Sequence, residues 1–410
     1  MKKVITNLIL VVSSFFVTNA DAQTAYITNG DDNTVSVINV STNTVVNTVP
    51  VGNNPFGVAV SPDGSMVYIT NGSDNTVSVI NTFTNAVSTT IPVGHWPYGL
   101  AVSYDGSKLY VSNGNDNTVS AINTANNTVS ATIPVGISPF GVAISPDGTK
   151  VYVANSGDTT VSVISTASNT VLDTIIVGNN PQGVAFNSNG SKVYVPNCWS
   201  HNLNVIDAST NIVIDTIHFG GLLIGVVVSP DGSTVYVASA GGFVYVIDAA
   251  TDTVLATIPV GSYSEGLSIT PDGTKVYVAN YSSNTVNVIN TATNTVIATI
   301  PVGFHPIGFG NFISSCNVGI PSLNINSSSI SIYPNPASTL LNIHHSTCTS
   351  QETLLITDLL GTEVYKENLT GIDNTISITT WTAGLYFYCL TPALPNGEGV
   401  SVRGKFVVQK

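Results

Sequence analysis

The sequence predicts an all-β protein: a seven-bladed β-propeller closed by strands from its N- and C-terminal ends, followed by a small β-sandwich. Three observations predict it. One stretch is written seven times, its opening tyrosine recurring at Tyr26, Tyr68, Tyr110, Tyr152, Tyr194, Tyr236 and Tyr277, spaced by 42 residues five times and by 41 once. Each copy holds four short runs rich in β-branched residues, separated by turn signals, which is how a propeller blade is written. Residues 330–410 lose that period and alternate a new set of strands and turns, as a small sandwich does.

Composition narrows the class. Charged residues are 8% of the chain, against roughly 25% in a typical soluble domain. Asn, Thr and Ser supply the polar surface instead, which suits an extracellular β-protein better than a cytosolic enzyme. The formal net charge of −13 excludes a nucleic-acid partner, because phosphate binding needs clustered Lys and Arg. The four cysteines, Cys198, Cys316, Cys348 and Cys389, are too few and too irregular for a disulfide scaffold or a zinc site.

Residues 1–22 read as a secretory signal peptide. Lys2 and Lys3 form the positive region, Leu8 to Val17 the apolar core, and Ala20-Asp21-Ala22 a small-x-small cleavage site before Gln23. The apolar run is shorter than the ~20 residues a membrane span needs, and no other stretch is a candidate, so no transmembrane segment is expected.

The propeller is expected over residues 23–313. Its strands follow in a fixed order: a tyrosine strand such as Lys192 to Val195, a second at Thr118 to Asn123, a third at Thr128 to Val135 and a fourth at Val142 to Ser145. Loops of the type Asn113-Gly114-Asn115-Asp116-Asn117, Asn-rich turns and Gly-Pro loops such as Gly136 to Gly141 connect them. Pro146-Asp147-Gly148 turns the chain back, with Pro presetting φ and Gly accepting a positive one. The Gly-Val-Ala strand has the small residues a crowded axis requires, so it is placed innermost and the Thr-Ile-Pro strand outermost. The chain then starts on a tyrosine strand, Ala25 to Thr28, and ends on an inner strand, Gly308 to Ile313. Pairing the two closes the ring.

The starts Tyr26-Ile27-Thr28-Asn29, Tyr68-Ile69-Thr70-Asn71 and Tyr110-Val111-Ser112-Asn113 resemble the YVTN family of β-propeller repeats, within the lactonase-like seven-bladed group. That family is similar to bacterial periplasmic and archaeal surface-layer propellers. The resemblance covers residues 24–313. Pro196 and Ser239 depart from the pattern, and a shortened loop, Ala240-Gly241-Gly242, accounts for the single 41-residue spacing.

Strand direction divides the loops between two faces. The lysines, Lys108, Lys150, Lys192 and Lys275, follow the inner-strand turns and fall on the bottom face; the propeller has no arginine. The top carries Asp31, Asp32, Asp74, Asp116, Asp158 and Glu265. Phosphosugars, carboxylates and quinone cofactors are disfavoured there, since anions need Arg, Lys or helix N-termini. No cofactor is expected.

Departures from the repeat gather on the same face: His95, Trp96 and Tyr98; Cys198, Trp199 and His201; Tyr263 and Glu265; Phe304 and His305. His95, Trp96, Tyr98, Trp199, His201, Tyr263, Glu265 and His305 are the candidate ligand-binding residues, a rim able to stack on a sugar or grip a peptide. Drift in exposed loops, with aromatics capping blade ends, explains the same residues without a ligand. His95, His201 and His305 lack metal-ligand spacing, and Asx-turns explain the Asp-Asn loops without calcium, so no metal is assigned. No catalytic motif is present and no catalytic residue is assigned.

Residues 314–329 read as a linker. Beyond it, strands are expected at Ile330 to Tyr333, Leu340 to His344, Glu352 to Thr357, Glu363 to Glu367, Ile376 to Ile378, Gly384 to Leu390 and Gly404 to Val408. Tyr333-Pro334-Asn335-Pro336, Leu341-Asn342-Ile343, Asp358-Leu359-Leu360-Gly361, Gly384-Leu385-Tyr386-Phe387 and Lys405-Phe406-Val407-Val408 resemble the C-terminal sorting domain of the type IX secretion system. The resemblance implies a Bacteroidetes-type bacterium, the type IX machinery as partner, and export across the outer membrane. It also implies removal of the domain, with release or attachment at the cell surface. Cys348 and Cys389 are candidates for a disulfide in an oxidising compartment. The leading functional expectation is a secreted or surface module binding a protein or glycan through the top face. A secreted lactonase- or lyase-like enzyme, by fold analogy, and a structural surface-layer component are the alternatives.

Overall fold

A computed structural model describes residues 23–314 and, beyond them, 330–333, 337–345, 352–357, 363–369, 373–392 and 402–408. The expectations for residues 1–22, for residues 315–329 (with Cys316), and for Pro334, Asn335, Pro336, Gly361 and Cys348 lie outside the described residues. The chain divides into two units, Met1–Gly319 and Ile320–Lys410.

The first unit is the propeller. Blade 1 opens with β1 (Thr24–Asn29), β2 (Thr34–Asn39) and β3 (Thr44–Pro50). Blade 2 is a complete antiparallel sheet of β4 (Pro55–Val60), β5 (Met66–Asn71), β6 (Thr76–Asn81) and β7 (Ala86–Pro92), paired in that order. Five more four-stranded sheets follow with the same order, their inner strands starting at Pro97, Pro139, Ala185, Leu223 and Ser264. Burial matches radial position. The tyrosine strand β5 is buried from Val67 to Asn71, and outermost β7 alternates with its exposed face to solvent. The inner strand begins earlier than expected, at Pro139 rather than Val142, because a register shift between Pro139 and Val142 lets the Pro-x-Gly segment join the sheet.

The inner strands need glycine for a reason visible at the axis. A Cβ on Gly99 would sit 2.3 Å from the Phe140 carbonyl oxygen of the next blade, and one on Gly225 only 2.1 Å from that of Glu265. The blades touch backbone to backbone there, and any side chain would force them apart.

Two other repeat residues lock blade to blade. The Tyr277 hydroxyl donates to Asn43 Oδ1 at 2.7 Å, and Tyr152 makes the equivalent bond to Asn211. Beside them the lysines reach over the bottom face: Lys150 Nζ donates to Ala208 O at 3.0 Å and Lys275 Nζ to Val40 O at 3.0 Å. Each amine is committed to a carbonyl of the neighbouring blade, and Lys192 also pairs with Asp252 at 2.9 Å.

Closure joins the ends of the propeller as expected, with one difference. Residues 306–314 lie along β1, with Ile307 N donating to Thr28 O, Tyr26 N to Phe312 O and Ser314 N to Thr24 O. They form separate bridges at Pro306 and Ile313 rather than the regular strand expected over Gly308 to Ile313. Gly308 and Gly310 adopt φ of 58° and 121°, which kinks the segment and carries Phe309 toward β4 of blade 2.

Among the described residues the second unit holds seven strands, the number expected, with the fifth at Asp373–Ser377 rather than Ile376 to Ile378. One sheet is Ile330–Tyr333, Leu340–His345 and Asp373–Ser377; the other is Glu363–Leu369, Glu352–Thr357, Gly384–Pro392 and Val402–Val408. Leu341, Ile343 and Ile376 from the first and Leu354, Ile356 and Tyr386 from the second share one core, which makes a sandwich. Tyr333, Gly384 and Lys405 all lie on these strands.

Candidate functional site: the top mouth of the channel

The top loops are built from paired asparagines and carboxylates. Asp74 accepts from Asn53 N at 2.7 Å, Asp116 from His95 N at 2.7 Å and Asp32 from Phe304 N at 2.7 Å. Asn75 Oδ1 accepts from Trp96 N at 2.9 Å and Asn284 Oδ1 from His305 N at 3.0 Å, linking each blade to the next. The acidic loops are thus occupied in holding backbone amides. Among the described residues, no group of three His, Cys, Asp or Glu side chains is placed to hold a metal ion.

In six of the seven loops that lead into inner strands, one residue lies in the left-handed region. Asn54, Ser138 and Asn180 hold it with φ of 55°, 50° and 57°, and Trp96, Tyr263 and His305 hold it with 55°, 56° and 54°. Asparagine tolerates that conformation; a bulky side chain costs about 1 kcal/mol or more. His201 repeats the situation in the Asn-Asp loop, with φ of 52°.

The next residue but one faces the axis. By position this ring is Phe56, Tyr98, Phe140, Gln182, Ile224, Glu265 and Ile307. Half of it is aromatic and closed: Phe56 meets Tyr98 and Phe140 with ring centroids 5.1 Å apart, Tyr98 meets Phe140 at 4.8 Å, and Phe309 from the closing segment packs on Phe140 at 5.1 Å. The Trp96 side chain lies near enough to the Tyr98 hydroxyl, at the edge of this cluster, to oppose the upward push of burial on it.

The other half holds Glu265. Its flanking ring members, Ile224 and Ile307, are buried with Phe309 in one apolar cluster, against which Tyr281 also packs. Glu265 itself is deeply set yet still reached by solvent. Burial pushes its carboxyl up to about 8, and no hydrogen bond or ion pair offsets that. Cys198, Tyr263 and Tyr281 all lie within range of its charge, and burial first and Glu265 second push the Cys198 thiol up. Cys198 is a buried, free thiol, and the upward shift keeps it in its protonated form.

Tyr281 connects this half to the closure. Its ring stacks on His305 at 4.2 Å with 4° between planes, and Tyr263 lies 5.6 Å away. His305 Nδ1 approaches Asp31 Oδ2 to 2.7 Å without the alignment of a hydrogen bond, so the contact is a charge contact when the ring is protonated.

Of the eight candidate ligand residues, Tyr98 and Glu265 stand on the ring, Trp96 joins the aromatic half, and Tyr263 and His305 meet through Tyr281. His95 is apart, bound to Asp116 at 2.8 Å with 71% of its side chain exposed. Trp199, 63% exposed, and His201 project from the blade 5 loop. Sequence reasoning missed Phe56, Phe140, Phe309 and Tyr281. A small hollow of about 100 Å³ lined by Ser145, Pro146, Lys150 and Phe186 lies on the bottom face, away from this site.

Comparison with known proteins fits this division. Residues 331–409 match the family described as secretion system C-terminal sorting domain. Residues 213–306 match the family described as cytochrome D1 heme domain. No curated protein matches. Among solved structures, hydrazine synthase from Kuenenia stuttgartiensis is 24% identical, with a TM-score of 0.57, over 61% of this chain and 87% of that one. A functionally unknown protein from Desulfotomaculum acetoxidans is 18% identical, with a TM-score of 0.62, over 70% and 100%. At these identities the likeness is one of fold. The chain is a seven-bladed propeller carrying a type IX sorting domain, which implies handling by that machinery and secretion. Among the described residues, no helix is long and apolar enough to cross a membrane.

The mouth does not fit a haem. Phe56, Phe140 and Phe309 fill its aromatic half, the carboxylate arms of a haem would meet Glu265 and Asp31, and all four propeller lysines are bound on the other face.

Proposed function

We propose that the propeller is an exported binding module that takes a protein or glycan ligand at the top mouth. Residues 1–22 would be its cleaved export signal and residues 314–329 its linker to the sorting domain, and the repeats would be of YVTN type. The observation that carries the reading is local. Trp96, Tyr263 and His305 occupy left-handed positions where sister loops use Asn or Ser, on the face whose mouth holds a recessed carboxylate with no partner among the described residues. Strain held at several loops of one face, each with a large ring side chain, supports a function for that face. Exposed Trp199, Phe304 and Tyr263, at 63%, 60% and 40%, supply contact area at low entropy cost.

The test is an array of surface glycans and extracellular proteins probed with the secreted chain, beside Trp199→Ala/Tyr263→Ala. Binding that the double variant weakens by at least ~30-fold, the loss of two aromatic anchors, supports the reading. Binding indifferent to the double variant sinks it.

A further inference from the structure

Glu265 is the one ring member whose chemistry the fold does not use. Phe56, Tyr98 and Phe140 pack on one another, and Ile224 and Ile307 are buried with Phe309. Gln182 donates from Nε2 to Asn180 Oδ1 at 2.7 Å. Among the described residues the Glu265 carboxyl has no hydrogen-bond or ion-pair partner, and its neighbours on the ring are two buried isoleucines. A carboxylate so placed costs folding free energy, and apolar packing would serve the ring better.

The groups facing it specify what would complete it. Cys198 approaches from the blade 5 loop, Tyr263 from its own loop and Tyr281 from the short helical turn Tyr281–Ser283, with Asp31 and His305 beyond Tyr281. None supplies a resident cation at Glu265, since His305 is held by Asp31 and stacked on Tyr281. The lysines are tied to carbonyls on the bottom face. An incoming cation would find the carboxylate with the rings of Tyr263 and Tyr281 within range of its charge, an aromatic setting of the kind that attracts ammonium groups. Buried isoleucines on both flanks favour an unbranched chain tipped with charge over a sugar ring.

We propose that Glu265 receives the side-chain ammonium of a lysine that a protein ligand inserts into the channel mouth. The inference rests on the top-face reading and narrows it from protein or glycan to protein. Glu265 is largely protonated in the free protein near neutral pH, so seating the ammonium releases a proton to solvent. A sugar hydroxyl accepts from the protonated acid and donates to the carboxylate, so it is held in either state without displacing a proton. The two ligands therefore differ in proton release and in the rise of affinity with pH that accompanies it.

The test is calorimetric titration of the full chain with acetyl-Gly-Lys-Gly-amide, with the same peptide acetylated on the lysine amine, and with glucosamine. The expected result is binding of the lysine peptide with proton release and an affinity that rises by up to ~10-fold per pH unit until about pH 8. The acetylated peptide should bind at least ~10-fold more weakly, and Glu265→Gln should abolish the difference between the peptides. Gln182 holds the same ring position in blade 5, so an amide there suits the fold, and proton release needs no variant at all. Equal binding of the two peptides, an affinity falling with pH, preferred binding of glucosamine, or no binding of either peptide overturns the inference. The top-face reading fails separately, if ligand binding survives Trp199→Ala/Tyr263→Ala.

Discussion

At the scale of single residues, the account turns on side chains placed against local preference. Burial raises the Glu265 carboxyl to about 8, above its ordinary value near 4.3. The folded protein therefore holds a proton that the unfolded chain has lost between those values. Its contribution is fully present below about pH 4 and is lost as pH rises through about 8. Glu265→Gln should remove that decline and raise the melting temperature at pH 8, by roughly 1–2 °C for each kcal/mol gained in a chain of this size; equal melting curves at pH 5 and pH 8 for both proteins would contradict it. Trp96, Tyr263 and Glu265 were legible in the sequence because each breaks a repeat. Phe56 and Phe140 were not, because they obey it: what they share with Tyr98 and Glu265 is a position, and only the ring shows that the position faces the axis. Tyr281 is a departure, and the Ser-Ser that follows it resembles ordinary loop filler.

At the scale of elements, the repeat encodes contacts between blades as much as strands within them. The Tyr152 hydroxyl spans to Asn211 of blade 5, and Tyr152 is fully buried. Tyr152→Phe should cost about 1 kcal/mol, the net value of one such bond, read as a shift of the denaturation midpoint without change in slope. Gly99→Ala belongs to the same scale but is more severe. Its Cβ would lie 2.3 Å from a carbonyl oxygen, so blades 3 and 4 must separate, and a loss of about 3 kcal/mol or more is expected in the same measurement. Strand order, turn chemistry and closure could be read from periodicity because every copy repeats them. The kinked form of the closing segment could not: Gly308 is the glycine every sister inner strand carries, yet here alone among them it takes a positive φ, and Gly310 beyond it has no counterpart in the repeat.

At the scale of the whole molecule, a ring closed by its own ends should unfold cooperatively, and acid should be the first stress to open it. The Ser145 hydroxyl holds the Asp147 carboxyl, and Ser229 that of Asp231, below the usual range, while the Ser209 hydroxyl brings exposed Asp207 to about 2. Depressed carboxylates contribute stability above their unfolded value near 3.9, lost as pH falls through the folded one. The melting temperature should hold near pH 5 and drop steeply between about pH 4 and pH 2; a flat profile there would show that the turns carry no such load. The central claim concerns which face of this ring meets a ligand. Hydrogen exchange of the secreted protein, with and without the strongest binder from the array, tests it most directly. Protection is expected in the top loops at 94–99, 197–202, 261–266 and 303–308. Protection confined to the bottom turns around 61–66, 145–150 and 270–275, with the mouth unchanged, would contradict it.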